Sequence, residues 1–442
     1  MATKANSFAR YRVALERGRF HKVYGRIEQV IGLTIEANGP AARIGDVCVI
    51  HGDRGQNSFC EVVGFRANRV LLMPLRDIEG LAPGSEVEAT GDSLQIPVGQ
   101  GLLGRVLDGL GRPIDGLGKL DADDTVPVHR NPPSPLSRPR IDRRLGTGVR
   151  VIDSLMTLGL GQRVGLFAGS GVGKSTLLGM IAKNTEADVN VIALIGERGR
   201  EVREFIERDL GDALAHSVVI VATSDQPPLV RIKGAFVATA IAEYFRDQGK
   251  QVTLMMDSVT RFAMALRELG LAIGEPPTAR GYTPSVFATL PKLLERAGRA
   301  KTGSITGIYT VLVDGDDLQD PIADAVRGIL DGHIVLDRSL ANRGHFPSVD
   351  PLQSISRLMG DIAQSDHLGA AMHIRRLMAA KRDIDDLIKI GAYQQGSDPI
   401  ADQAIRLDNE LNHFLCQGVD DASPFAETIE KLVLLAQGGM GE

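Results

Sequence analysis

Residues 168–176 read AGSGVGKST, and few nine-residue stretches restrict a fold so strongly. They follow the apolar run RVGLFA (163–168) and precede the helix-compatible TLLGMIAKN. Gly169, Gly171 and Gly173 let the backbone curl until successive N–H groups face one point, and the following helix turns its positive end there. That is a phosphate cradle, the P-loop, with Ala168 opening it and Ser170 and Val172 between the glycines. Lys174 would reach the β- and γ-phosphates, Ser175 would offer its hydroxyl to Mg²⁺, and Thr176 completes the segment. The usual pattern opens on glycine, so the match is slightly relaxed at Ala168. A dinucleotide-binding turn is the competing reading. Counted from Gly169, however, Lys174 stands where that motif needs its last glycine. A P-loop sits between a strand and a helix, which commits this part of the chain to an α/β domain.

Two acids are placed to complete such a site. Asp257 closes the apolar run QVTLMMD (251–257), where a ligand for Mg²⁺ or a holder of its waters is expected; a helix N-cap before SVTR is the plainer role. Glu197 lies in ALIGERGREVREF, just past the apolar run VNVIALIG (189–196). Parallel neighbours end at one sheet edge, so its carboxylate has the position to polarise an attacking water. The surrounding GERGREVRE also reads as a solvated charged loop, which leaves Arg198 and Glu201 ambiguous.

At 442 residues the chain exceeds one ordinary core. Its net charge of -5, with 43% hydrophobic and 24% charged residues, describes a folded protein and not a bulk nucleic-acid binder. Cys48, Cys60 and Cys416 form no disulfide framework or metal cluster and read as small apolar filler. No apolar run reaches membrane-spanning length and no secretory signal opens the chain, so a cytoplasmic location is expected.

Five segments follow from texture. Residues 1–19 form a basic leader in which Phe8, Tyr11 and Leu15 mark one helical stripe; it is either a frayed end or a helix that orders on a partner or lipid surface. Residues 20–95 alternate short β-prone runs with turns, as a small barrel or sandwich does. Residues 96–149, with GLLGRVLDGLGRPIDGLG and PVHRNPPSPLSRPR, read as a connecting segment of loop and rigid crossing. Residues 150–357 alternate apolar strands with helical runs, the pattern of an α/β domain. Residues 358–442 turn helical, with Ile374, Leu377, Met378, Ile384, Leu387 and Ile388 as an expected core face.

With these pieces in view, the chain resembles the catalytic ATPases of the rotary and export class. PSVDPLQSIS (347–356) matches that family's signature, and GLLGRVLDGLGRPIDG, GERGRE, DQPPLVR (225–231) and GEPPTARGYTPSVFATLPKLLERAG (274–298) are similar to its segments. The resemblance spans about residues 20–415. It implies a multidomain subunit: an N-terminal β-barrel, a central RecA-like α/β P-loop ATPase domain and a C-terminal helical domain, six copies forming a ring. It implies Mg-dependent ATP hydrolysis, with Glu197 activating water and Arg198 beside it. Phe346 falls where the family stacks an aromatic on adenine. Arg357 matches the arginine that, in homohexameric members, reaches into a neighbour's site.

The branch follows from smaller features. Ala168-Gly169 replaces the paired glycines of rotary β subunits, and the basic leader and LPKLLERAG look like the export ATPases. LIKIGAYQQGSDPIADQAIRL (387–407) resembles the flagellar members, with virulence-type secretion as the alternative. The implied partners are further copies of the chain, a dimeric stator-like regulator, export stalk and gate proteins, substrates and chaperones, with peripheral contact to acidic lipid. A rotary synthase subunit, an RNA-translocating hexamer and a non-catalytic nucleotide-binding scaffold are the competing classes. The barrel segment has no tryptophan and no evident stacking cluster, so nucleic acid is not expected.

Overall fold

The computed structural model describes residues 23–52, 57–76, 80–313 and 319–438. The expected leader, 1–19, lies outside the described residues. The chain divides into two compact units, one up to Leu94 and one from Gln95 onward.

The first unit is a closed six-stranded barrel. Its strands are β1 (Tyr24–Ile31), β2 (Thr34–Asn38), β3 (Asp46–His51), β4 (Asn57–Arg66), β5 (Arg69–Pro74) and β6 (Glu86–Ser93), in the order β1-β2-β5-β4-β3-β6. All pairs are antiparallel, so alternate side chains face inward, and Ile27, Ile35, Ile50, Val62, Leu72 and Val87 fill the interior. Cys48 and Cys60 oppose each other across β3 and β4, both buried. Burial pushes each thiol up to about 12, so they act as the expected apolar filler and not as nucleophiles.

The second unit begins with β7 (Gln95–Val98), which pairs with β9 (Asp124–Pro127). Between them β8 (Val106–Asp108) joins the edge of the main sheet, where the reading above expected only loop. Three residues are too few for a periodic signal, and the surrounding glycines mask them. Gly109 is there for a different reason: a Cβ would stand 2.7 Å from the Val230 carbonyl oxygen.

The main sheet adds β10 (Arg163–Ala168), β11 (Val189–Ile195), β12 (Ser217–Ala222), β13 (Gln251–Asp257), β14 (Ser304–Leu312), β15 (Gly332–Val335) and β16 (Ile355–Ser356). Their order is β16-β15-β10-β14-β13-β11-β12-β8, with Gly298–Arg299 pairing on β14. The path is parallel except for the β15–β16 edge pair. Every residue of β11 and β12 is buried, as strands covered on both faces must be.

The helices used below are α1 (Arg150–Leu155), α2 (Lys174–Asn184), α3 (Gly199–Glu204), α4 (Pro228–Asp247), α5 (Val259–Ala272), α6 (Pro284–Leu294), α7 (Pro321–Ile329), α8 (Arg338–Asn342), α9 (Ser365–Lys389), α10 (Pro399–Leu415) and α11 (Phe425–Ala436). Ile374, Leu407, Phe414 and Leu432 of the last three share one apolar cluster with Ile152 of α1 and Leu178 of α2. The expected core face of α9 is only half realised. Ile374 and Leu377 are buried and Met378 packs on the core, but Leu387 and Ile388 are 44% and 38% exposed. The 25-residue α9 runs past the 17-residue α10 and 12-residue α11 that cover it.

The PSVDPLQSIS segment is a clamp between these layers. Ser348 Oγ donates to the Val172 carbonyl at 2.6 Å, Ser354 Oγ accepts from Val335 N at 2.9 Å, and Ser356 Oγ donates to the Thr157 carbonyl at 2.8 Å. Buried Asp350 accepts from Leu352 N and Gln353 N within its own turn, and both its oxygens lie 2.9 Å from Arg382 Nη2 on α9. Asp350→Ala strands these donors and is expected to cost about 2–4 kcal/mol. The check is the thermal midpoint, with early loss of amide protection in α9; an unchanged midpoint would remove the clamp role.

Candidate nucleotide-binding site

The parallel register brings the chemistry to one edge. Ala168 pairs with Leu312, Leu194 with Asp257, and Ile195 with Ala222, so the P-loop, Asp257 and the Glu197 turn all emerge together. β10 ends at Ala168 and α2 starts at Lys174, with the loop curled between them. Gly173 has φ 90°, a left-handed conformation that favours glycine, and a Cβ there would meet the Phe346 ring at 3.6 Å. The Ser170 carbonyl accepts from Arg338 Nη1 at 3.1 Å, and the Val172 carbonyl from Ser348. Those carbonyls are thereby held by the protein, while the amides of residues 169–173 donate to no acceptor among the described residues. Free donors beside the start of α2 are what a phosphate chain requires.

The loop opens on a cleft of about 440 Å³ lined by Ala168, Gly169, Ser170, Gly171, Gly173, Lys174, Ser175 and Thr176. Glu197, Arg198, Glu201 and Arg261 line its other side. Lys174 Nζ lies 2.5 Å from Asp257 Oδ1 and 3.5 Å from Glu197 Oε1. Burial opposes the lysine's charge, but the two carboxylates more than offset it and hold its pKa above the ordinary value. Asp257 also accepts from Thr310 Oγ1 at 2.7 Å, which leaves it well supported at the end of β13. The helix cap after it falls to Ser258, whose side chain accepts from Arg261 N. Glu197 is pushed up to about 7, first by burial and then by the Asp257 charge, with Lys174 pulling the other way. One lysine thus serves two carboxylates, and the more distant of them is the one poised near neutrality.

Arg198 is exposed, lies 3.3 Å from Glu201 and stands at the N-cap position of α3 without a side-chain capping bond. Phe346 lies beside the loop with 45% of its surface exposed. Arg357 is elsewhere. It follows β16, whose Ser356 pairs with Gly332 at the start of β15, and its N–H donates to the Asp331 carbonyl at 3.1 Å. That is the sheet edge where β10 begins, six residues or about 17–20 Å of strand from its own P-loop. Arg357 is exposed and its guanidinium makes no hydrogen bond or ion pair among the described residues.

Four residues at the site carried no signal of their own in the sequence. Thr310 holds Asp257, Arg338 and Ser348 hold the loop carbonyls, and Arg261 packs against Gly196, where a Cβ would stand 2.8 Å from its own. Ser348 and Arg261 lay in segments already quoted, PSVDPLQSIS and SVTR, but nothing there marked them out.

Comparison with known proteins places the loop and both acids in a known nucleotide-binding domain. The nucleotide-binding domain of the ATP synthase alpha/beta family matches residues 148–356, and that family's beta-barrel domain matches 27–91. The C-terminal domain of the type III secretion ATPase EscN matches residues 363–433. The flagellum-specific ATP synthase of Bacillus subtilis is 58% identical over 420 residues, covering 94% of this chain and 95% of its own. The chain belongs to the flagellar and type III secretion export ATPases. The type 3 secretion system ATPase of Xanthomonas euvesicatoria is 52% identical over 92% of this export ATPase and 93% of its own length. Assembled EscN of enteropathogenic E. coli superposes with a TM-score of 0.88 at 48% identity, over 93% of this chain and 100% of that one. EscN has also been solved in complex with its central stalk, EscO, with a TM-score of 0.87. The expected architecture of barrel, RecA-like P-loop domain and helical domain therefore holds for this export ATPase, an ATP-hydrolysing enzyme. No described helix is long and apolar enough to cross a membrane.

Proposed function

We propose that this export ATPase hydrolyses Mg-ATP as a homohexameric ring whose sites are each built by two copies. The observation that carries the reading is the separation of parts. Lys174, Asp257 and Glu197 meet at one sheet edge, whereas Arg357 is displayed at the other. Assembled EscN, solved as such, supports the ring.

The residues fit a divalent ion. Ser175 lines the cleft, Asp257 lies behind it 2.5 Å from Lys174 Nζ, and both offer hard oxygen; among the described residues no three acids or histidines gather into an all-protein metal cage. Mg²⁺ held by Ser175 and, directly or through water, by Asp257 would neutralise phosphate charge. Lys174 exchanges its carboxylate partner for β- and γ-phosphate oxygens, and the 169–173 amides orient the chain of phosphates. Phe346 stacks on the base. Glu197, freed from Lys174, accepts a proton from the water that attacks the γ-phosphorus while the bond to the β,γ-bridging oxygen breaks and ADP leaves, and Arg198 stays at the rim beside it. Arg357 of an adjoining copy meets the charge that builds on the transferring group.

Both kinds of relative lie near this sequence, and GAYQQGSDP favours the flagellar branch over the virulence type. On that reading hydrolysis energises or regulates flagellar protein export. The partners are a central stalk like EscO, gate proteins, substrates with their chaperones, and a stator-like regulator. The leader would dock on that regulator or on acidic lipid. Deleting residues 1–19 is expected to weaken co-purification with such a regulator while basal hydrolysis persists; an unchanged pull-down would remove the docking role.

A concentration series of mass and ATPase on the same samples tests the reading. Specific activity should rise in step with assembly, by mass action. Monomers, shown to stay monomeric, that hydrolyse as fast per chain as rings would overturn it.

A further inference from the structure

The P-loop of this export ATPase is gripped from behind at two alternate peptide units. The Ser170 carbonyl accepts from Arg338 Nη1 at 3.1 Å, and the Val172 carbonyl accepts from Ser348 Oγ at 2.6 Å. Neither the 170–171 nor the 172–173 peptide bond is cis. In a planar trans unit the C=O and the N–H of the next residue point in opposite directions. Holding the Ser170 carbonyl therefore turns the Gly171 amide away from Arg338, and holding Val172 turns the Gly173 amide away from Ser348. Both glycines line the nucleotide cleft, and neither amide donates to an acceptor among the described residues. The two holders stand outside that cleft: Arg338 borders a separate cavity with Phe167 and Val335, and Ser348 is buried. They belong to one bracket. Asp337 N donates to the Ser348 carbonyl at 2.8 Å, Leu336 bridges Val349, and Asp337 Oδ1 caps α8 through Leu340 N at 3.0 Å.

We infer that Arg338 and Ser348 are positioning residues for phosphate binding, each aiming one amide: Arg338 that of Gly171, Ser348 that of Gly173. The inference rests on the phosphate cradle in the function proposed above. A peptide unit that nothing holds rotates about its flanking bonds, and a glycine on its far side resists that least. Its N–H then faces the cleft for only part of the time, and phosphate loses one donor for the rest.

Amide signals of the isolated full chain read this directly. Ser170–Gly171 is the only Ser-Gly pair in the sequence, so isotope labelling of serine carbonyls with glycine nitrogens isolates its amide. Labelling valine carbonyls instead isolates Gly64, Gly99, Gly165 and Gly173, and Val172→Ile marks the last by removing it. On adding pyrophosphate, both P-loop amides of the parent should move downfield as they donate to the anion. Arg338→Met should lose most of the Gly171 shift and keep that of Gly173, and Ser348→Ala should do the reverse. Arg338→Lys retains a donor and should restore Gly171. Arg338→Met and Ser348→Ala should each bind ATP about two- to tenfold more weakly, the worth of one hydrogen bond. A merely structural residue would move both amides together or neither. Both shifts kept, both lost, or unchanged ATP affinity in either variant would overturn the inference while the cradle stands. No shift of either amide in the parent would remove the cradle and this inference with it. If Ser348→Ala does not fold, Ser348→Cys, a weaker donor, serves in its place.

Discussion

Replacing Arg357 with alanine is expected to slow assembled rings by about 10³-fold or more, the range seen when an arginine finger is withdrawn from phosphoryl transfer. ATP binding to isolated chains should not change. The reasoning is geometric. A guanidinium some six strand residues from its own P-loop does nothing for the nucleotide on its own subunit. An exposed arginine with no ion pair among the described residues also contributes little to stability, so the variant should melt with the parent. Mixed rings separate the two sites cleanly. Each variant subunit should silence its neighbour, and activity should fall faster than the variant fraction if neighbouring sites turn over in concert. Activity equal to the parent, alone or mixed, would return Arg357 to the solvent.

Glu197→Gln is expected to keep ATP affinity and lose about 10²–10⁴ in kcat, the usual worth of a positioned general base. The amide matches the carboxylate in size but cannot take a proton. Because burial and Asp257 lift Glu197 to about 7, kcat/KM of the parent should fall as pH drops through about 7. The variant's residual rate should lack that inflection. Linkage gives a second sign. The folded pKa is raised above the unfolded 4.5, so the native state favours the protonated form. Its stabilising contribution is full below about 4.5 and is lost as pH rises through about 7. A neutral glutamine keeps that contribution, so the nucleotide-free variant should melt above the parent at pH 8 and with it at pH 4. A variant that turns over normally would remove Glu197 as the water activator.

Several parts of this protein were legible as plain text. The alternation of apolar strands with helical runs, and the glycines at 169, 171 and 173, fix a phosphate cradle between β10 and α2, because both depend on local geometry. The extent of α9 was misjudged from its stripe, since periodicity says which side of a helix is apolar and not where its covering partners end. β8 was hidden for a related reason: three residues in a glycine-rich stretch become a strand only when β12 offers its free edge.

Residue type and local spacing by themselves determined the α/β domain, the barrel texture and the presence of Lys174, Glu197 and Asp257 as candidates. Tertiary structure decided what each one does. Only the parallel register could seat Lys174 between two acids drawn from β13 and the turn after β11, raise one of them toward neutrality, and turn PSVDPLQSIS from a signature into a clamp. Only the antiparallel edge pair could set Arg357 at the end of the sheet away from its own P-loop. Charge coupling falls off within a few ångströms, and contacts at that range between residues 23 to 199 positions apart exist only once the sheet has formed.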